Sequence, residues 1–244
     1  MEEFKFPTEE VELPSKGLVY PKDNPLSSGK VEIKYMTAKE EDILSNSNFI
    51  QNGTVLDKLL KSVIVSDIDI DDLIVGDKNA ILIATRILGY GGEYKITYKN
   101  KEQVIDLYKL DNKPLDESQF TQGKNEFHFE LPTSGTKIAY KILTGHDEKK
   151  IDREIKGLQK INPDDTSDLT TRLKYIITSV DGNNESKTIR QFVDQAMLAR
   201  DSRALRDHIK NTQPDVDLEY TLDSGEEVTV PIGLSFFWPD LGNI

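Results

Sequence analysis

The 244-residue chain has no cysteine. That excludes disulfides and thiolate metal sites, and it fits a reducing cytosol. Histidine is scarce: His128, His146 and His208 stand apart and show none of the spacing of a His-Glu-x-x-His metal motif. A phosphate cradle is missing too. Gly89-Tyr90-Gly91-Gly92 lacks the lysine and follows a helical stretch, the reverse of the order such a loop needs. No serine lies in a nucleophile elbow. No apolar run approaches the ~20 residues of a membrane helix, and the opening Met1-Glu2-Glu3-Phe4 is not the apolar core of a signal peptide. Positive charge is in deficit, with 31 Lys and Arg against 43 Asp and Glu and a net charge of −12. Such an anion has no general attraction to nucleic acid or anionic lipid. With 36% hydrophobic and 30% charged residues the chain can form a core, though it is polar for an enzyme of this length. These absences point to a cytosolic, non-enzymatic protein that needs no cofactor and no metal. A dispersed acidic site in an intracellular enzyme or small-ligand binder is the alternative.

The segment from Gly76 to Tyr98 organises what is there. Asp77 has the chemistry of an N-cap, its carboxylate accepting from free N–H groups of the first turn. Ala80, Ile81, Leu82, Ile83, Ala84, Ile87 and Leu88 then make a helix that is apolar almost all round, and so buried. Gly89 supplies a left-handed C-terminal cap, and Tyr94, Ile96 and Tyr98 alternate as in a strand. Arg86 sits inside this apolar helix. It must meet a carboxylate, a carbonyl or a partner chain, and an internal pair with a buried carboxylate is expected. Asp77 and Arg86 are thus the candidate buried polar residues.

Around this centre the chain divides into five stretches. Residues 1–30, with Pro7, Pro14, Pro21 and Pro25, read as an extended arm. Its Phe4, Phe6, Leu18 and Tyr20 either pack on the arm's own domain or clasp a neighbour. Residues 31–91 are mainly helical. A short strand at Val31–Tyr35 precedes a capping box at Thr37 and Glu40, a turn-rich break covers Asn46 to Asn52, and Thr54 caps an amphipathic helix over Val55–Ile64. Asp67, Asp69, Asp71 and Asp72 begin like a calcium loop, but Asp72 stands where glycine is needed and Lys78 where the last acid belongs, so calcium is rejected. Residues 92–145 form an antiparallel β unit with strands at Tyr94–Tyr98, Gln103–Leu107, Glu126–Leu131 and Lys137–Leu143. Residues 146–212 are helical, with Leu169, Leu173, Ile176, Ile177 and Val180 on the inside of one helix. The cluster Arg200, Arg203 and Arg206 is assigned to surface pairing with Asp201 and Asp207. Residues 213–244 carry a β-hairpin turning at Asp223-Ser224-Gly225-Glu226, then Phe236-Phe237-Trp238, three aromatics that belong either in the core or at an interface. The fold class is α+β.

Several motifs follow one another in a fixed order: Leu13-Pro14-Ser15-Lys16-Gly17 with Tyr20-Pro21, Thr37 through Leu44, Gly76-Asp77-Lys78-Asn79, Arg86-Ile87, Tyr90-Gly91 and Phe236-Phe237-Trp238-Pro239. That order resembles the baseplate hub and hub-assembly proteins of T-even-type, contractile-tailed phages. The resemblance implies other phage tail and baseplate hub proteins as partners, with self-association left open. It places assembly in the host cytoplasm and leaves retention in the virion open. Some similar proteins carry Cys-x-x-Cys pairs resembling zinc ribbons. Here the corresponding hairpins, around Lys99–Glu102 and Asp223–Glu226, have no cysteine, which implies ribbon-like units without metal. Phe4, Phe6, Leu18, Tyr20, Phe236, Phe237 and Trp238 are the candidate interface residues.

Overall fold

The computed structural model describes residues 7–164 and 166–238, and its first strand lies inside the stretch expected to be an arm. Strand β1 (Thr8–Glu12) pairs antiparallel with β2 (Lys30–Lys34), Val11 opposite Val31. The chain between them folds back on itself. Asn24 caps a 3-10 turn at Pro25–Ser28, and Gly17 takes a φ of 77° where a Cβ would lie 2.5 Å from the Ser27 carbonyl oxygen. Leu13, Val19, Tyr20 and Leu26 are all buried as a result. Residues 8–30 are part of the domain, because their apolar side chains find a core within their own chain.

Helix α1 (Ala38–Leu44) starts at the Thr37–Glu40 capping box. Glu40 is fully buried and also accepts from Ser62 and Lys34. Burial opposes its charge, yet these donors together with Thr37 hold its carboxyl down at about 2. The break expected at Asn46–Asn52 is a short helix, α2 (Ser47–Gln51), because the Asn46 side chain caps it by accepting from Asn48 and Phe49 N–H. Helix α3 (Val55–Val63) buries Val55, Leu59, Leu60 and Val63 on one stripe. After a connector containing a 3-10 turn at Ile70–Asp72 comes α4 (Val75–Tyr90), flanked by buried Ile74 and the turn at Gly91. Strands β3 (Glu93–Tyr98) and β4 (Lys101–Asp106) form a hairpin whose loop is two residues, not four. Lys99 and Asn100 both have positive φ, the geometry that matches strand twist.

A second core follows. Strands β5 (Phe127–Glu130) and β6 (Lys137–Tyr140) are joined by β7 (Ile177–Val180), in the order β5-β6-β7. Three helices pack with this sheet, α6 (Asp168–Ile176), α7 (Ser186–Gln195) and α8 (Ala199–Thr212), through Leu173, Ile189, Val193 and Leu205, while α5 (Gly145–Ile161) lies between α6 and the 3-10 turn of the first core. The single helix expected to run through Ile177 and Val180 ends at Ile176. The Ile-Thr-Ser-Val that follows is rich in β-branched side chains and completes the free edge of β6.

The C-terminal stretch then returns to the first core. Val216 bridges to Asn112, Lys113 N–H donates to the Asp215 carbonyl, and the hairpin β8 (Glu219–Thr221) with β9 (Glu227–Thr229) precedes fully buried Phe236 and Phe237. The molecule is an α+β protein with two hydrophobic clusters, and the second is built from residues inserted into the first. The β unit expected over 92–145 is therefore divided. Its first hairpin belongs to the outer core and its later strands to the inserted one, because β6 takes its second partner from residues 177–180.

Candidate functional site

Each end of α4 holds a fully buried polar side chain of the first core that makes several hydrogen bonds. At the N-terminal end, Lys16 and Gly17 both have positive φ, and this tight turn aims Ser15 inward. Ser15 N–H donates to Asp77 Oδ1 at 2.9 Å and Ser15 Oγ donates to Oδ2 at 2.7 Å. Tyr20 Oη donates to Oδ2 at 2.5 Å while accepting from Ile74 N–H at 3.1 Å. Asp77 is fully buried and faces no cation; burial pushes its carboxyl up against the lowering effect of these donors. Tyr20 is pushed up as well, by burial first and by the carboxylate beside it second. Asp77 is not the N-cap. It lies in the first turn, Ile74 occupies the cap position, and its carboxylate is spent on residues about 60 positions upstream. Gly76 is required at this end: a Cβ there would stand 2.0 Å from the Pro214 carbonyl oxygen. Asn79 donates to Asp215 at 3.0 Å, which ties the returning C-terminal stretch to the same spot.

At the other end, Arg86 is 1% exposed. Its Nε donates to the Phe236 carbonyl at 3.0 Å, Nη1 to Gly91 at 2.8 Å and Nη2 to Glu93 at 3.2 Å. The partners are internal, but they are carbonyls and not the expected carboxylate. Burial lowers the pKa of the guanidinium. The helix cap is Gly91, with a φ of 81°; Gly89 lies inside the last turn against Met36. The ring of Tyr94 meets Phe236 edge-on at 5.0 Å, and Phe236 meets Phe237 likewise at 5.5 Å.

The interface candidates therefore divide. Phe4 and Phe6 lie outside the described residues. Tyr20, Phe236 and Phe237 are buried in their own core and are unavailable as surface anchors, because Asp77 and Arg86 hold the segments that carry them. Leu18 and Trp238 are half-buried. Asp201 does not pair with the arginine cluster. It is buried and accepts from Thr133 and Ser134 N–H at 2.8 and 3.0 Å, capping the turn between β5 and β6. Arg203 approaches Asp207 at 3.7 Å. In the sequence Ser15 stands out only inside the motif Leu13-Pro14-Ser15-Lys16-Gly17, and no local pattern pairs it with residue 77.

One group among the described residues has the donor set to hold a metal: Asp69, Asp72 and His146, with ligand atoms within 4.8 Å of one another. His146 Nε2 lies 3.3 Å from Asp69 Oδ2 and 3.4 Å from Asp72 Oδ1. It stands where α5 meets the 3-10 turn of the first core, next to the Lys149–Asp71 ion pair. The backbone N–H of Asp71 lowers the Asp69 pKa. This grouping is away from both hairpins for which a metal-free ribbon was expected. Among the described residues no helix is long and apolar enough to cross a membrane.

No known family model, curated protein or solved structure matches this chain.

Proposed function

We propose that this protein is a non-enzymatic component of a contractile phage tail, a baseplate hub subunit or hub assembly factor that works through contacts with other hub proteins. One observation supports this reading above others. Three of the short motifs that carry the resemblance, at Ser15, Tyr20 and Phe236, are remote from one another or from α4 in sequence, yet they meet on that one helix. Ser15 and Tyr20 bind Asp77 at one end of α4, and Arg86 binds the carbonyl of Phe236 at the other. Residues linked in this way form the framework of a fold, so their shared order is the pattern a family with a common architecture would retain. The side chains concerned are satisfied internally, which suits a structural role. Deleting the gene in the phage that encodes it tests the proposal. The expected result is a block before baseplates form, relieved by supplying the protein in trans. Normal tails and normal infectivity would overturn it.

A second reading, a small-ligand or cation binder, draws on the Asp69, Asp72 and His146 grouping. Calorimetric titration with Zn2+ decides it: stoichiometric binding lost in His146→Ala favours this reading, and no heat of binding removes it.

A further inference from the structure

Helix α5 segregates its charge. Three of its four acidic side chains are paired with cations off its exposed basic face, and the fourth, Asp152, is exposed. Asp147 pairs with Lys141 at 2.7 Å, Glu148 with Arg172 at 2.7 Å, and Glu154 with Arg190 at 2.7 Å. Lys149, Arg153, Lys156 and Lys160 are exposed and rim a shallow depression with Asp152 and Gly157. Their spacing of i, i+4, i+7 and i+11 confines them to about 60° of the helix circumference over about 16 Å. Lys149 pairs with Asp71 and Lys156 with Asp152, while Arg153 and Lys160 have no ion pair among the described residues. The result is a basic stripe on a chain whose net charge is −12.

The opposite pattern occurs in the C-terminal stretch. Residues 213–238 contain six acidic side chains and no Lys, Arg or His. Asp217, Glu219, Asp223 and Glu227 are exposed on or beside the β8–β9 hairpin, and none has an ion pair among the described residues. Among the described residues of this stretch, Glu226 is the one that is ion-paired, with Lys99. From Asp217 to Asp223 the chain spans about 20 Å at strand rise, close to the length of the basic stripe. No ion pair links the two patches within one molecule among the described residues.

We propose that the α5 stripe docks onto the β8–β9 hairpin of a second copy of this chain. The argument is charge complementarity between two patches of similar length, in which Arg153 and Lys160 on one side and Asp217, Glu219, Asp223 and Glu227 on the other have no ion pair among the described residues. Two different patches make a head-to-tail contact, which either closes into a ring or propagates. This inference does not depend on the baseplate reading.

Sedimentation velocity on the full-length protein tests it. Wild type should self-associate at low salt and dissociate at high salt. Lys156→Glu with Lys160→Glu should weaken association about tenfold, and Glu219→Lys with Glu227→Lys should do the same, as expected when opposed charges become like charges. The two double variants mixed in equal amounts should associate again, since each then offers the charge the other lacks. That recovery also shows that both are folded. Three results would overturn the proposal: a wild type monomeric at all concentrations and salts, association indifferent to the reversals, or a mixture that stays dissociated.

Discussion

Replacing Arg86 with methionine removes a buried cation and all three of its hydrogen bonds while keeping a side chain of similar length. The fully buried carbonyl of Phe236 then loses its partner, at a cost of about 1–3 kcal/mol for an unsatisfied buried group. The Gly91 and Glu93 carbonyls are part-buried, and water recovers much of what they lose; together they add about 1 kcal/mol. The sum is about 2–4 kcal/mol. With a slope of about 2–3 kcal/mol per molar urea, that moves the midpoint by roughly 1 M. Arg86→Lys should lose nearly as much, because a single ammonium cannot serve three carbonyls set around a planar fork. The chain has one tryptophan, Trp238, immediately after Phe237. Its fluorescence reports release of the C-terminal stretch, and far-UV circular dichroism reports helix content. In Arg86→Met the fluorescence transition should come at lower urea than in wild type. A variant within about 0.5 kcal/mol of wild type by both probes would refute the view that Arg86 holds the C-terminal aromatics in place.

Tyr20→Phe removes the hydroxyl that joins Asp77 to the start of α4, and urea unfolding should show a loss of about 1–3 kcal/mol. A double-mutant cycle with Asp77→Asn should give a coupling well above zero. Two helical glycines should respond oppositely to alanine. Gly76→Ala collides with the Pro214 carbonyl and should lower stability or solubility sharply, whereas Gly157→Ala meets open space and should stabilise by about 1 kcal/mol in thermal melts. The bidentate Arg190, helped by Tyr175, holds the Glu154 carboxyl at about 2, far below its ordinary 4.5. A depressed carboxylate contributes stability that is present above the unfolded value and lost as pH falls through the folded one. Glu154→Gln should therefore flatten the fall in stability between roughly pH 4.5 and pH 2, measured by urea titration at stepped pH.

Local signals carried far in this sequence because they rest on neighbouring residues. The Thr37–Glu40 capping box, the stripe of α3 and the buried character of α4 are each written in nearby residues, and the structure shows them; it also shows the hairpin expected after Tyr94, with a loop shorter by two residues. One error of element type came where tertiary demand outweighed local pattern. Ile177–Val180 continues a helical period, yet it becomes a strand because β6 has an edge to fill. Error also came where a polar residue had two uses. Asp77 suits a helix cap and Asp201 suits pairing with the neighbouring arginines, but their carboxylates are drawn to Ser15 and Tyr20 in one case and to the turn at Thr133 in the other.

Composition and spacing by themselves determined that this is an α+β chain free of disulfides, strongly acidic, with one buried helix near its middle and an arginine trapped in it. Only the tertiary structure decided who holds that arginine, that residues 8–30 fold onto their own core, and that a second core is inserted within the first. It also decided that Phe236 and Phe237 face inward. The reason is distance along the chain. Ser15 and Asp77 are separated by 62 residues and Arg86 and Phe236 by 150. A sequence pattern reports what a residue needs, here acceptors for a guanidinium or donors for a buried carboxylate. Which remote group meets that need is settled when the segments pack.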